Sequence, residues 1–136
     1  MGLKERRAIK ALEENQYPVL KQKVSDTIGF EVEFEIDWDS LALEGRGNLY
    51  EEGFEKIFVE PLVGAFASIC QDDMGKEALK ESLKKVVIKD ENGITSYNTW
   101  ITFDTGVLTL DHKIDTNHNY VEERKNKIQE TLEAAL

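Results

Sequence analysis

The segment FEVEFEIDWD, residues 30–39, alternates apolar and acidic side chains without a break. Its apolar positions are Phe30, Val32, Phe34, Ile36 and Trp38. Its acidic positions are Glu31, Glu33, Glu35, Asp37 and Asp39. Because successive side chains of a β-strand point to opposite faces, this pattern predicts a strand over residues 30–38 with one apolar face and one acidic face.

Helices are predicted on both sides of this strand. Apolar residues recur at helical spacing in four stretches, which are residues 3–28, 50–70, 73–83 and 119–136. Pro18 should kink or split the first helix, and Gly29 should end it. The last helix is expected to start near Asn119, because Asn119 and Glu122 have the spacing of a capping box.

Three further strands are predicted over residues 86–89, 98–103 and 107–114. The Asn92-Gly93 pair is typical of a hairpin turn between the first two of them. The order of elements is then α-β-α-α-β-β-β-α. This order predicts a single α+β domain over residues 1–136, built as a two-layer sandwich in which helices cover one face of a four-stranded, mainly antiparallel sheet.

The chain is acidic, with a formal net charge of −10 over 136 residues. Residues 30–60 contain two Lys or Arg and ten Asp or Glu, so most of the net negative charge lies there. Such a field repels nucleic acid and anionic membranes and favours a basic partner. No apolar run has the roughly 20 residues needed to span a bilayer. The single cysteine and the charged N-terminus lead us to expect a cytoplasmic protein.

The acidic side of residues 31–39 has three interpretations. The first is a solvated face that is balanced in part by Lys85 and Lys89 of another strand. The second is an interaction surface for a basic protein partner. The third is a cation site, which a flat row serves poorly because calcium needs converging oxygens. The candidate partner-binding residues are therefore Glu31, Glu33, Glu35, Asp37 and Asp39.

Both histidines lie in LDHKIDTNHNY, residues 110–120. If this segment binds a metal, its candidate ligands are Asp111, His112, Asp115 and His118, which are suitable residue types for zinc, iron or nickel. On a strand over residues 107–114, His112 faces the core and Asp111 points the other way. The sequence therefore predicts no metal and no cofactor, and it favours a packing or capping role for His112.

Together these patterns favour a non-catalytic, cytoplasmic protein-binding domain that uses residues 31–39 for a basic partner, with a small homo-oligomer as one form of it. Two alternatives stay open. One is a small metal-dependent or acid–base hydrolase that uses residues 111–118. The other is a small-ligand binder with a pocket between helices and sheet. Cys70 lies on the apolar stripe of a helix, which is typical of a buried small hydrophobic residue.

Overall fold

The computed structural model describes residues 2–136 and has an α+β fold, which confirms the predicted class. Its helices are α1 (Leu3–Ala11), α2 (Tyr17–Ile28), α3 (Trp38–Leu41), α4 (Tyr50–Gly53), α5 (Glu60–Ile69), α6 (Asp73–Ser82) and α7 (Val121–Ala135). Its strands are β1 (Glu33–Ile36), β2 (Lys85–Lys89), β3 (Ile101–Asp104) and β4 (Val107–Asp111). Within residues 2–136, no helix has the length and apolar character needed to cross a membrane.

Both prolines lie just after a π-helical turn. Pro18 follows the turn Leu12–Gln16, which joins α1 to α2, and Pro61 follows the turn Phe54–Val59, which leads into α5. Proline lacks an N–H and clashes with the carbonyl four residues before it, so a wider turn lets the helix continue past it. The first helical segment therefore continues through α2 and ends at Gly29, whose φ is +78°.

The strands lie in the order β1-β2-β4-β3. β1 and β4 are both parallel to β2, and only β3 and β4 are antiparallel. The prediction of a mainly antiparallel sheet is therefore wrong. Residues 90–100 contain Asn92-Gly93 but form a loop instead of a hairpin, and they carry the chain past β4 to its far side. The strands over 30–38 and 107–114 are also shorter than predicted.

The two faces of the sheet differ in burial. On one face the side chains of β2 and β4 are fully buried, namely Val86, Ile88, Leu108 and Leu110. On the other face the side chains of β2 are only partly buried, namely Lys85, Val87 and Lys89. The buried set belongs to a hydrophobic core that includes residues of α2, α5 and α7. The alternation seen in the sequence therefore separates a core side from a polar side.

Gly53, the last residue of α4, allows a close approach to the segment that follows β4. A Cβ atom at Gly53 would lie 1.8 Å from the carbonyl oxygen of Ile114. Ile114 itself has no exposed surface, so its backbone has no free space to move into. This contact fixes the start of residues 114–118 against α4.

We expect Gly53→Ala to lower the free energy of unfolding by about 2–3 kcal/mol, because a backbone oxygen must move to admit the new methyl group. Gly64→Ala in α5 is the matched control, since a Cβ there meets only the Lys125 side chain, at 3.1 Å. Alanine gains about 1 kcal/mol of helix propensity over glycine, so the control should be at least as stable as the wild type. Urea unfolding of the three proteins measures this, and equal stability of both variants would contradict the close approach.

Candidate functional site

We define the acidic surface as the side chains of Glu31, Glu33, Glu35, Asp37 and Asp39. All of them are exposed, and the residues between them are buried or partly buried. Only Glu33 and Glu35 lie on β1. Asp37 caps α3, where its carboxylate accepts a hydrogen bond from the Ser40 N–H at 3.2 Å. The acidic surface therefore extends beyond the strand into the first turn of α3.

Lys85 of β2 is the cation that contacts the acidic surface from the neighbouring strand. Its Nζ atom lies 3.2 Å from a carboxylate oxygen of Glu35 and 3.8 Å from one of Glu33. Lys89 makes its ion pair with Glu91, and its charge interaction with Asp37 of the acidic surface is weaker. The side chains of Glu33 and Glu35 remain 71% and 63% exposed, so one shared lysine leaves the acidic surface strongly negative.

Aromatic side chains hold the opposite face of β1 against the helices. The rings of Phe34 and Tyr17 meet edge to face, with centroids 6.0 Å apart. Tyr17 also meets Trp38, at 5.8 Å, and Trp38 lies 5.6 Å from Phe54 of the core. Because side chains alternate along a strand, this packing directs Glu33 and Glu35 of β1 away from the helices.

The structure gives Asp111 a role in closing the loop of residues 90–100. One carboxylate oxygen accepts a hydrogen bond from the Glu91 N–H, at 2.9 Å, and a longer one from the Asn92 N–H, at 3.4 Å. The other oxygen accepts from the Asn92 side-chain amide, at 2.6 Å. Asp111 is buried, which the sequence analysis did not expect of the outward-pointing residue.

His112 has no exposed surface, as expected for a residue on the core face. Its Nδ1 lies 2.5 Å from the carbonyl oxygen of Lys113, and its Nε2 lies 3.0 Å from Nη2 of Arg124. A carbonyl only accepts and a guanidinium only donates, so we infer that Nδ1 carries the hydrogen and that the ring is neutral. Burial lowers the pKa of His112 to about 4.

The other two candidate ligands of the segment have separate contacts. Asp115 pairs with Arg46, whose Nε lies 3.5 Å from its carboxylate. His118 contacts the Ile114 carbonyl oxygen through Nε2, at 2.9 Å, and its Nδ1 lies 3.8 Å from a carboxylate oxygen of Glu52. In the described part of the chain, no three His, Cys, Asp or Glu side chains are arranged to hold a metal ion.

Arg124 is a fully buried residue that the sequence analysis missed. Its Nη2 donates to His112, while Nε and Nη1 have no hydrogen-bond partner among residues 2–136. Its guanidinium also lies 6.0 Å from the ring centre of Trp100, and burial lowers its pKa to about 10. Its spacing in the sequence could have indicated this burial, because Arg124 lies four residues before Ile128 on the inner stripe of α7.

The start of α7 also differs from the sequence prediction. The helix begins at Val121, and Tyr120 occupies the N-cap position without a side-chain hydrogen bond. Asn119 and Glu122 therefore do not form the predicted capping box. Glu122 instead contacts Lys125, at 3.4 Å, one turn along the helix. Packing of the inner stripe of α7 against α5 and β3, and not a capping box, accounts for the position of this helix.

One surface cleft of residues 2–136 is lined by carboxylates without a histidine. This cleft has a volume of about 420 Å³ and lies among polar residues of α4 and its neighbouring turns, including Gln16, Glu52 and Lys56. Cys70 is buried, and burial raises the pKa of its thiol, which disfavours the reactive thiolate.

Comparison of the chain with protein families, with curated proteins and with solved structures finds no match.

Burial of His112 should make stability depend on pH. Its folded-state pKa of about 4 lies below the ordinary value of 6.5, so the unfolded chain binds more protons between these values. The contribution of neutral His112 to the free energy of unfolding is complete above pH 6.5. It is lost as the pH falls towards 4, by up to about 3 kcal/mol. We expect His112→Gln to remove this part of the dependence of the free energy of unfolding on pH.

Urea unfolding at pH 7.5, 5.5 and 4.5 measures the effect. His118→Gln is the matched control, because it keeps His112 and therefore keeps its share of the pH dependence. Carboxylates titrate in all three proteins, so only the difference between variants is interpreted. If His112→Gln and the wild type lose stability in parallel, the buried neutral histidine is not the cause.

Proposed function

We propose that the protein is a non-catalytic, cytoplasmic protein-binding domain that takes a basic partner on the acidic surface. One observation carries this proposal. The five carboxylates from Glu31 to Asp39 are all exposed, those of Glu33 and Glu35 lie on β1 opposite its aromatic contacts, and Lys85 is the cation within 4.0 Å of them in the described structure. A surface with so little internal compensation is well suited to attract and orient a cationic protein.

The layout of the sheet supports the same proposal. We infer a two-layer arrangement in which the helices cover the face that carries Val86, Ile88, Leu108 and Leu110. The opposite face would then be free to meet a partner, and Glu33 and Glu35 point towards it. The helix side supplies the rigid support, because β1 is held by the ring contacts of Phe34 with Tyr17.

The contacts of residues 111–118 support a structural role for that segment instead of a hydrolytic one. Asp111 and His112 are each committed to hydrogen bonds inside the protein, and Asp115 and His118 point to different partners. A general base needs a proton within hydrogen-bond reach on a substrate, and a fully buried ring has no room for one. The acidic surface is therefore the better supported site.

The test is capture from cells that make the protein, with the wild type and two charge variants. Glu31→Gln/Glu33→Gln/Glu35→Gln neutralises the acidic surface, and Glu77→Gln/Glu81→Gln/Glu133→Gln removes the same charge from exposed positions elsewhere. We expect a basic protein to be retained by the wild type and the control and lost from the acidic-surface variant. Circular dichroism confirms that all three are folded.

The dissociation constant of the captured pair is then measured at low and high salt. Neutralising three contacts should weaken binding at least tenfold, about 1.4 kcal/mol, and added salt should weaken it further. Equal retention by both charge variants, or a captured partner that is itself acidic, would refute the proposal.

A further inference from the structure

β1 is paired on one side only. It lies at the end of the strand order and pairs with β2, and no other segment among residues 2–136 pairs with its outer side. The Asp37 N–H donates to the Ile88 carbonyl at 3.0 Å. In a parallel pair, alternate residues direct both backbone groups to the same neighbour. Glu33, Glu35 and Asp37 therefore face β2 with their backbone groups, and Phe34 and Ile36 direct theirs outwards.

The apolar side of β1 is also incompletely covered. Phe34 and Ile36 are only partly buried, although they belong to the helix-facing side of the sheet. The residues that pair with them on β2 are Val86 and Ile88, and these have no exposed surface. A further strand beside β1 would cover the exposed flank of Phe34 and Ile36 as β2 covers the other flank. We call this outer side, with its backbone groups and this flank, the free edge of β1.

Charge decides which strand fits the free edge. A second copy of β1 would bring carboxylates opposite Glu33 and Glu35, and like charges directly opposite each other are unfavourable. Lys85 shows the favourable alternative on the other side of the same strand, where it contacts both carboxylates from β2. A lysine or arginine on an added strand can make the equivalent contacts from the free edge, which selects a basic segment over a second copy.

We propose that an extended, basic segment of a partner protein adds to the free edge of β1 as a fifth strand. Its Lys or Arg side chains lie beside Glu33 and Glu35, and its alternate apolar side chains cover Phe34 and Ile36. This inference rests on the proposed function and specifies its binding mode. Recognition then combines main-chain hydrogen bonds with a charge pattern of period two, as in other cases of strand addition.

The probe is a capped nine-residue peptide in which Lys and Val alternate, together with two N-methylated forms. One form carries methyl groups on the Lys amides and the other carries them on the Val amides. An added strand directs the N–H groups of alternate residues towards its neighbour, so one form must lose at least tenfold in affinity while the other binds like the parent. Charge attraction alone would not distinguish the two forms.

Amide hydrogen exchange supplies a second readout on the protein. With the parent peptide bound, the Phe34 and Ile36 amides should exchange at least tenfold more slowly, because their N–H groups acquire acceptors. The amides of Glu35 and Asp37 already face β2 and should change little. Glu31→Gln/Glu33→Gln/Glu35→Gln should weaken the parent peptide at least tenfold, whereas Glu77→Gln/Glu81→Gln/Glu133→Gln should not.

The outcomes separate this inference from the proposed function. Equal binding of the two methylated forms, or unchanged exchange at Phe34 and Ile36, would overturn strand addition and leave the acidic surface as a purely electrostatic site. Failure of the parent peptide to bind, while a basic protein captured from cells binds, would also overturn strand addition alone. If neither the parent peptide nor a basic protein from cells binds, the proposed function is overturned as well.

Discussion

Parallel pairing between β2 and β4 is the constraint on which the rest of the architecture depends. The two strands pair from Lys85 with Val107 to Lys89 with Asp111, and their inward side chains form the most completely buried part of the sheet. Parallel neighbours cannot be joined by a tight turn, so the chain must leave the sheet after β2 and return. β3 is therefore placed outside β4, and β1 takes the outer position beside β2.

The same constraint explains the contacts of residues 111–118. A loop that passes over the end of β4 leaves backbone amides that need acceptors, and Asp111, the last residue of β4, supplies them. The next residue, His112, links the end of the strand to α7 through Arg124. Ile114 then passes close to Gly53. The residue types that suggest a metal site in the sequence therefore serve to join the loop, the last helix and α4 to the sheet.

Local periodicity in the sequence predicted which side chains are exposed. It did not predict which strands pair or in which direction they run. Alternation in residues 30–39 predicted the exposure of all five carboxylates, and parity explains it for Glu33 and Glu35, which lie on β1. The alternation of side chains does not encode strand direction. Asn92-Gly93 is typical of a hairpin turn, but β2 pairs with β4 and no hairpin forms there. Arg124 was missed for a different reason, since a guanidinium on an inner stripe is normally expected to reach solvent.

The chemistry of β1 suits a strand that must avoid its own copies and still accept a partner. Opposed side chains on neighbouring strands lie about 5 Å apart, where two unit charges in water interact by about 1 kcal/mol. This interaction energy is unfavourable when the added strand is acidic and favourable when it is basic. Over the two positions of Glu33 and Glu35, the difference amounts to about 3 kcal/mol before salt reduces it, roughly enough to decide between two otherwise similar strands. Backbone groups at Phe34 and Ile36 would contribute equally to either strand, so the carboxylates of Glu33 and Glu35 make the free edge selective.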